Sequence, residues 1–116
     1  MIIFRITMNV LPEKQKEVMQ TLLSMIETAK NERGCLSYEV FYHMDDKTVF
    51  NLIEEWGTHE DLDHHIQSER FSVLLGTKSL LAKPLEMKIH TVSHSEGMDA
   101  VNVLRGKGTS KKEKLK

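Results

Sequence analysis

The densest polar cluster of this chain is one short run, His59-Glu60-Asp61-Leu62-Asp63-His64-His65. On a helix Asp61 and His65 are four apart and share a face, as do Glu60 and His64. A neutral imidazole near pH 7 can take a proton from a weak acid. His65 is therefore the candidate general base, oriented by Asp61 or by a group across a pocket. The competing reading leaves His59 and His64 solvated and packs His65 at the helix edge. A metal site would need converging ligands. His59 and His64 are five apart and face different ways, and the adjacent His64 and His65 diverge. The cluster holds no His-x-x-x-His pair, and a single cysteine gives no thiolate set, so no metal is expected.

A second polar group lies near the N-terminus. Arg5, Thr7 and Asn9 alternate along one segment and would share one strand face. If that face lines a pocket, Asn9 can hydrogen-bond a substrate oxygen or an oxygen-derived anion, and Arg5 can hold a negative charge. If it does not, the three meet water or a partner's strand. Strand register decides between the two, and spacing alone leaves both open. Trp56 either walls a pocket or packs near the start of a helix. Tyr38 and Tyr42, on a strand face with Leu36 and Val40, either bond a ligand or pack with satisfied hydroxyls. The seven Met residues read as gap-fillers, or as the pliable wall of an aromatic pocket.

These residues need elements to position them. Residues 2–10 alternate, with Ile2, Phe4, Ile6, Met8 and Val10 on one side, which predicts a strand with one apolar face. Pro12 ends it and suits a helix start. Val18, Met19, Leu22, Leu23, Met25, Ile26 and Ala29 recur at three- and four-residue spacing, which predicts an amphipathic helix over about 13–31. Gly34 supplies its left-handed stop. Residues 36–43 and 48–56 read as strands joined by a hairpin turn at Asp45-Asp46-Lys47. Thr58, with Asp61 three positions on, resembles a capping box for a helix over 59–66. Ser68 caps a further segment over about 69–81, which Gly76 can bend or break. Pro84 precedes a last strand over 85–92.

The order β-α-β-β-α-β is the split βαβ pattern of an α+β, ferredoxin-like domain over residues 2–95 with an antiparallel sheet. Helices of such a unit cover one sheet face. The other is too mixed for plain solvent surface and too polar for a plain core. Two such faces packed together would form a dimeric α+β barrel, so a homodimer is expected.

Length allows one domain and not two. The net charge of −1 conceals a division. Residues 105–116 carry six basic residues against Glu113, a balance of +5, and the remainder carries ten basic against sixteen acidic, a balance of −6. Residues 96–116 thus read as a basic tail, with a short helix over 98–105 and disorder from Gly106 onward. The tail lacks interleaved aromatics, so no nucleic-acid partner is expected. No apolar run is long enough to span a bilayer. No basic region precedes the first apolar stretch, and the one cysteine, Cys35, suits a reducing, cytoplasmic setting.

Phe50-Asn51-Leu52-Ile53-Glu54-Glu55-Trp56, followed by Leu62-x-x-His65-x-x-Ser68-x-x-Phe71, resembles the antibiotic biosynthesis monooxygenase family. Gly34-Cys35-Leu36-x-Tyr38 is similar to that family's entrance to the second strand. The resemblance covers residues 2–93 and implies a dimeric α+β barrel. It further implies a cofactor-independent monooxygenase that oxidises a small aromatic or hydroquinone-type substrate with O2. His65 and Asn9 would then be catalytic, and Arg5, Thr7, Trp56, Tyr38 and Phe71 would bind substrate. Alternatives are a non-catalytic dimeric barrel that binds a ligand, or a haem-degrading monooxygenase. The chain departs from the family pattern at Arg70, where many members have a second His. The haem-degrading branch carries Trp at the place of His65 and a later His where this chain has Ser72 to Gly76. Asn9 does resemble that branch.

Overall fold

The computed structural model describes residues 1–106. Four strands, β1 (Ile2–Asn9), β2 (Cys35–Tyr42), β3 (Val49–Trp56) and β4 (Glu86–Thr91), form one antiparallel sheet in the order β2-β3-β1-β4. Helix α1 (Gln15–Lys30) links β1 to β2. Helices α2 (His59–Ile66) and α3 (Glu69–Leu75) link β3 to β4, and α4 (Met98–Leu104) follows. This is the expected ferredoxin-like arrangement.

The alternation of β1 decides which way the sheet faces. Ile2, Phe4, Ile6 and Met8 are buried under the helices, and β3 places Phe50, Leu52, Glu54 and Trp56 on the same side through the pairs Met8↔Phe50, Ile6↔Leu52, Phe4↔Glu54 and Ile2↔Trp56. From the helices Val18, Leu22, Ala29, Leu62, Phe71 and Leu74 complete the core. Each fully buried aliphatic or aromatic side chain contributes on the order of 2 kcal/mol by leaving water. On the opposite face stand Arg5, Thr7 and Asn9 with Asn51, Ile53 and Glu55, since strand neighbours alternate. Thr7 Oγ1 donates to Asn51 Oδ1 at 2.9 Å, and Ser37 Oγ donates to Glu55 Oε1 at 3.0 Å.

Local signals place the turns. Gly34 has φ of 81°, the left-handed conformation that ends α1 and turns into β2. Pro12 opens a 3-10 turn (Pro12–Lys14) ahead of α1. Asp46 stabilises the hairpin bend by accepting from the Thr48 backbone N–H at 3.0 Å. The segment over 69–81 does not continue as one helix: α3 stops at Leu75 and a 3-10 stretch (Gly76–Leu80) follows, the break that Gly76 foreshadows. One strand differs from its sequence pattern. A register shift between Cys35 and Ser37 inserts an extra residue, so Leu36 points out with 59% of its surface exposed while Tyr38 and Val40 still face the helices. The two turns of α4 form as expected and bury no residue. The lysine-rich tail lies outside the described residues beyond Arg105 and Gly106. Among the described residues no helix is long and apolar enough to cross a membrane.

Candidate functional site

Helix α2 begins at Thr58, whose Oγ1 accepts the Asp61 backbone N–H at 3.1 Å. The Thr58 hydroxyl also donates to Asp61 Oδ2 at 3.0 Å. This is a closed cap, though a shortened one: the Asp side chain meets the cap hydroxyl, where the longer Glu of a capping box meets the cap backbone. The helix so started turns Leu62 and His65 inward together, three residues apart. His59 and His64 stay exposed.

His65 is only 3% exposed and sits in an aromatic enclosure. The Trp56 ring lies 4.6 Å away between centroids at 31°, Phe71 meets it edge-on at 5.4 Å, and Tyr38 edge-on at 6.3 Å. Both imidazole nitrogens are engaged. Nδ1 is 3.0 Å from each carboxylate oxygen of Glu32, in the loop after α1, and Nε2 is 3.3 Å from Oε1 of Glu54. The ring therefore bridges two carboxyl groups.

Glu54 is fully buried on the helix face of β3. Its Oε1 also accepts the Trp56 indole N–H at 2.9 Å, and its Oε2 has no hydrogen-bond partner among the described residues. Burial pushes the Glu54 carboxyl up to about 7; the Trp56 bond pulls it down, and the neighbouring Glu32 pushes it further up. Burial also drives the Tyr38 hydroxyl well above its ordinary value, with Glu54 and Glu32 adding to the effect. The thiol of Cys35 is raised for the same reasons, burial first.

A cleft of about 200 Å³ opens between α1 and α3 onto this chain of groups. Met25, Ala29 and Val73 form its apolar wall, and Glu32, His65 and Arg70 form its polar end. The Arg70 guanidinium Nε lies 3.5 Å from Glu32 Oε2 at the mouth. The space suits a small aromatic whose polar substituent meets Glu32 and His65. Such a substituent could give up a proton there. Glu32 and Glu54 approach opposite nitrogens of one imidazole, so the trio does not converge on a point where an ion could sit; among the described residues no group of three or more His, Cys, Asp or Glu is placed to hold a metal.

The structure brings His65, Trp56, Tyr38 and Phe71 together. It does not bring Arg5, Thr7 and Asn9 to them, because those three stand on the opposite face of the sheet. Of the two orienters expected for His65, Asp61 or a group across the pocket, the structure has the second. Asp61 turns away to Arg33, whose Nε lies 3.3 Å from its Oδ1, and to Thr58. Glu32 and Glu54 hold the imidazole instead. Neither was singled out from sequence. Glu54 had a readable signal: it shares strand parity with Phe50, Leu52 and Trp56, a carboxyl in an apolar row. Glu32 had none, being a polar residue in a short polar loop.

The sequence profile described as antibiotic biosynthesis monooxygenase matches residues 1–74. An uncharacterized protein of Synechocystis is 30% identical over 89 residues, which are 76% of this chain and 60% of that relative, so the match spans less than two thirds of the relative's length. YcnE of Bacillus subtilis, provisionally named a monooxygenase, is 25% identical over 75% of this chain and 93% of its own. A conserved protein from Methanosarcina mazei has a crystal structure that superposes with a TM-score of 0.73 at 31% identity, covering 77% of this chain and 89% of that one. A Deinococcus radiodurans structure, provisionally assigned as an antibiotic biosynthesis monooxygenase, gives 0.78 at 19% identity over 84% of this chain and 97% of that one, a likeness of fold.

Proposed function

The chain belongs to the antibiotic biosynthesis monooxygenase family, and on that footing we propose that it is a cofactor-independent monooxygenase acting with O2 on a small, electron-rich aromatic such as a hydroquinone or anthrone. One observation supports this above the others: the imidazole of His65, held by Glu32 and Glu54, ends a small apolar cleft. In the proposed reaction the substrate loses a proton to the Glu32–His65 pair. The resulting anion passes one electron to O2, and the two radicals join as a peroxide on carbon. The pair protonates the outer peroxide oxygen, then takes the remaining proton from that carbon. The O–O bond breaks, and hydroxide leaves with that proton as water. The CH2 of an anthrone, or of the keto form of a hydroquinone, and O2 thus become a carbonyl and water, with no outside reductant. Apolar walls favour this sequence by keeping the anion and the peroxide away from bulk water.

Trp56, Phe71 and Tyr38 enter this reading as the packing that fixes the His65 ring. Arg5, Thr7 and Asn9 enter it as part of the sheet face offered to a second copy, beside the partly buried Ile3 and Ile53 and the exposed Phe41. The free Cys35 suits a reducing cytoplasm. The small cleft favours a small aromatic substrate over haem.

The test is O2 consumption with a panel of hydroquinones and anthrones. Uptake is expected for at least one, falling by about 100-fold or more in His65→Ala with the fold verified by near-UV circular dichroism. Binding without uptake across the panel would make the protein a ligand carrier. Full activity in His65→Ala would remove the base from the scheme.

A further inference from the structure

The Glu32–His65 pair can accept a proton only while the imidazole is not already doubly protonated. What governs that state lies on the far side of the ring. His65 Nε2 is 3.3 Å from Glu54 Oε1, and Glu54 is wholly enclosed. The groups that face it are His65 from α2, Trp56 from its own strand, Tyr38 and Cys35 from β2, and Glu32 from the loop after α1. None of them is an Arg or Lys. Among the described residues the only donors within reach are the Trp56 indole and the imidazole, both at Oε1, and Oε2 receives nothing.

Taking the Glu32–His65 pair as the base of the proposed reaction, we propose that Glu54 is a positioning residue which shares one proton with His65 Nε2 and, by holding it, keeps the imidazole neutral, so that Glu32, which accepts from Nδ1–H, stays basic enough to take the substrate proton. Two arrangements of that proton have the same total charge. With the proton on Nε2, an imidazolium sits between two carboxylates and the base is spent. With the proton on Oε1, the imidazole and Glu54 are both neutral and Nε2 is hydrogen-bonded as an acceptor. The transfer breaks one N–H bond and forms one O–H bond, and nothing else is consumed. A dry, aromatic enclosure disfavours the separated charges. A carboxylate with one oxygen lacking any donor is also poorly stabilised. The upward displacement of the Glu54 carboxyl has the same direction. A substrate filling the cleft would exclude water further and push the proton toward Glu54, arming the base as it binds.

The experiment is NMR on the full chain with labelled glutamate side-chain carboxyl carbons and histidine ring nitrogens, titrated from about pH 5 to about pH 8. The expected result is one midpoint reported at both the Glu54 carboxyl and the His65 Nε2, because one proton serves both. In Glu54→Gln the amide can donate to Nε2 permanently, so the His65 Nε2 shift should stay at its unprotonated, hydrogen-bonded value across the range. A purely structural Glu54 would leave the His65 titration unchanged in the variant. The proposal is overturned if Glu54 shows a carboxylate signal throughout in the wild-type protein, or if the two groups titrate independently. The wild-type measurement decides the matter even if Glu54→Gln folds poorly. Neither signal requires turnover: absent O2 consumption with a shared midpoint would refute the oxygenase reading alone, and independent titration would sink the shared proton whatever the O2 result.

Discussion

Replacing Glu54 by Gln should change how the stability of the protein depends on pH, and by an amount the burial of that side chain sets. The Glu54 carboxyl is displaced from an ordinary 4.5 up to about 7. Between those values the folded chain keeps a proton that the unfolded chain releases. The folded state therefore binds more protons, and stability falls as pH rises. The contribution is fully present below about 4.5, declines through the interval and is gone above about 7. At about 1.36 kcal/mol per pH unit the interval corresponds to about 3 kcal/mol. That is an upper limit, since His65 Nε2 can take the proton from Glu54 and soften the loss. Gln has no titration here. Asp46, whose carboxyl is held below its ordinary range by the Thr48 hydroxyl and N–H, acts in the opposite sense, but it does so equally in both proteins and cancels. The assay is urea unfolding of wild-type and Glu54→Gln protein at about pH 4.5, 6 and 8, comparing extrapolated stabilities. Glu54→Gln should gain on the wild type by about 1–3 kcal/mol between the lowest and highest pH. A difference that stays constant within about 0.5 kcal/mol would refute the claim that burial keeps this carboxyl protonated above its ordinary range.

Two further substitutions probe the same neighbourhood. Trp56→Phe removes the indole donor at 2.9 Å and should cost about 1–3 kcal/mol; the neutral form of Glu54 should then persist to higher pH, read from its carboxyl NMR shift, and an unmoved midpoint would count against that bond. Gly34→Ala forces a side chain into a left-handed position at φ of 81°, where its Cβ would collide with the Asp61 carboxylate. A loss of about 2 kcal/mol or more is expected in thermal unfolding, and a wild-type Tm would show that the α1–β2 turn relaxes at little cost.

Local signals in this chain are strong where one rule governs the backbone. The strict alternation from Ile2 to Met8 gives β1 its buried face without reference to anything else. Thr58 and Ser68 start their helices because a hydroxyl in an extended residue can accept from the N–H three positions on, and both do so. Gly34 and Gly76 mark where helices turn or tighten. Signals fade where two rules compete. Leu36 fits the period of its strand, but the extra residue between Cys35 and Ser37 reverses its direction, and a bulge leaves no mark in a run of β-formers.

What the sequence by itself determined is the order of elements and the apolar face of the sheet, since each follows from spacing along a single segment. Only the tertiary structure decided what meets the imidazole. Helix geometry set Asp61 beside His65, yet Asp61 is drawn to Thr58 and Arg33. Glu32 and Glu54 arrive from a loop and a strand distant in the chain. Asn9 and Arg5 alternate with the apolar row of β1, and the packing of the helices on that row leaves them across the sheet from His65. Periodicity states which way a side chain points, and the packing of other segments against it determines what it finds there.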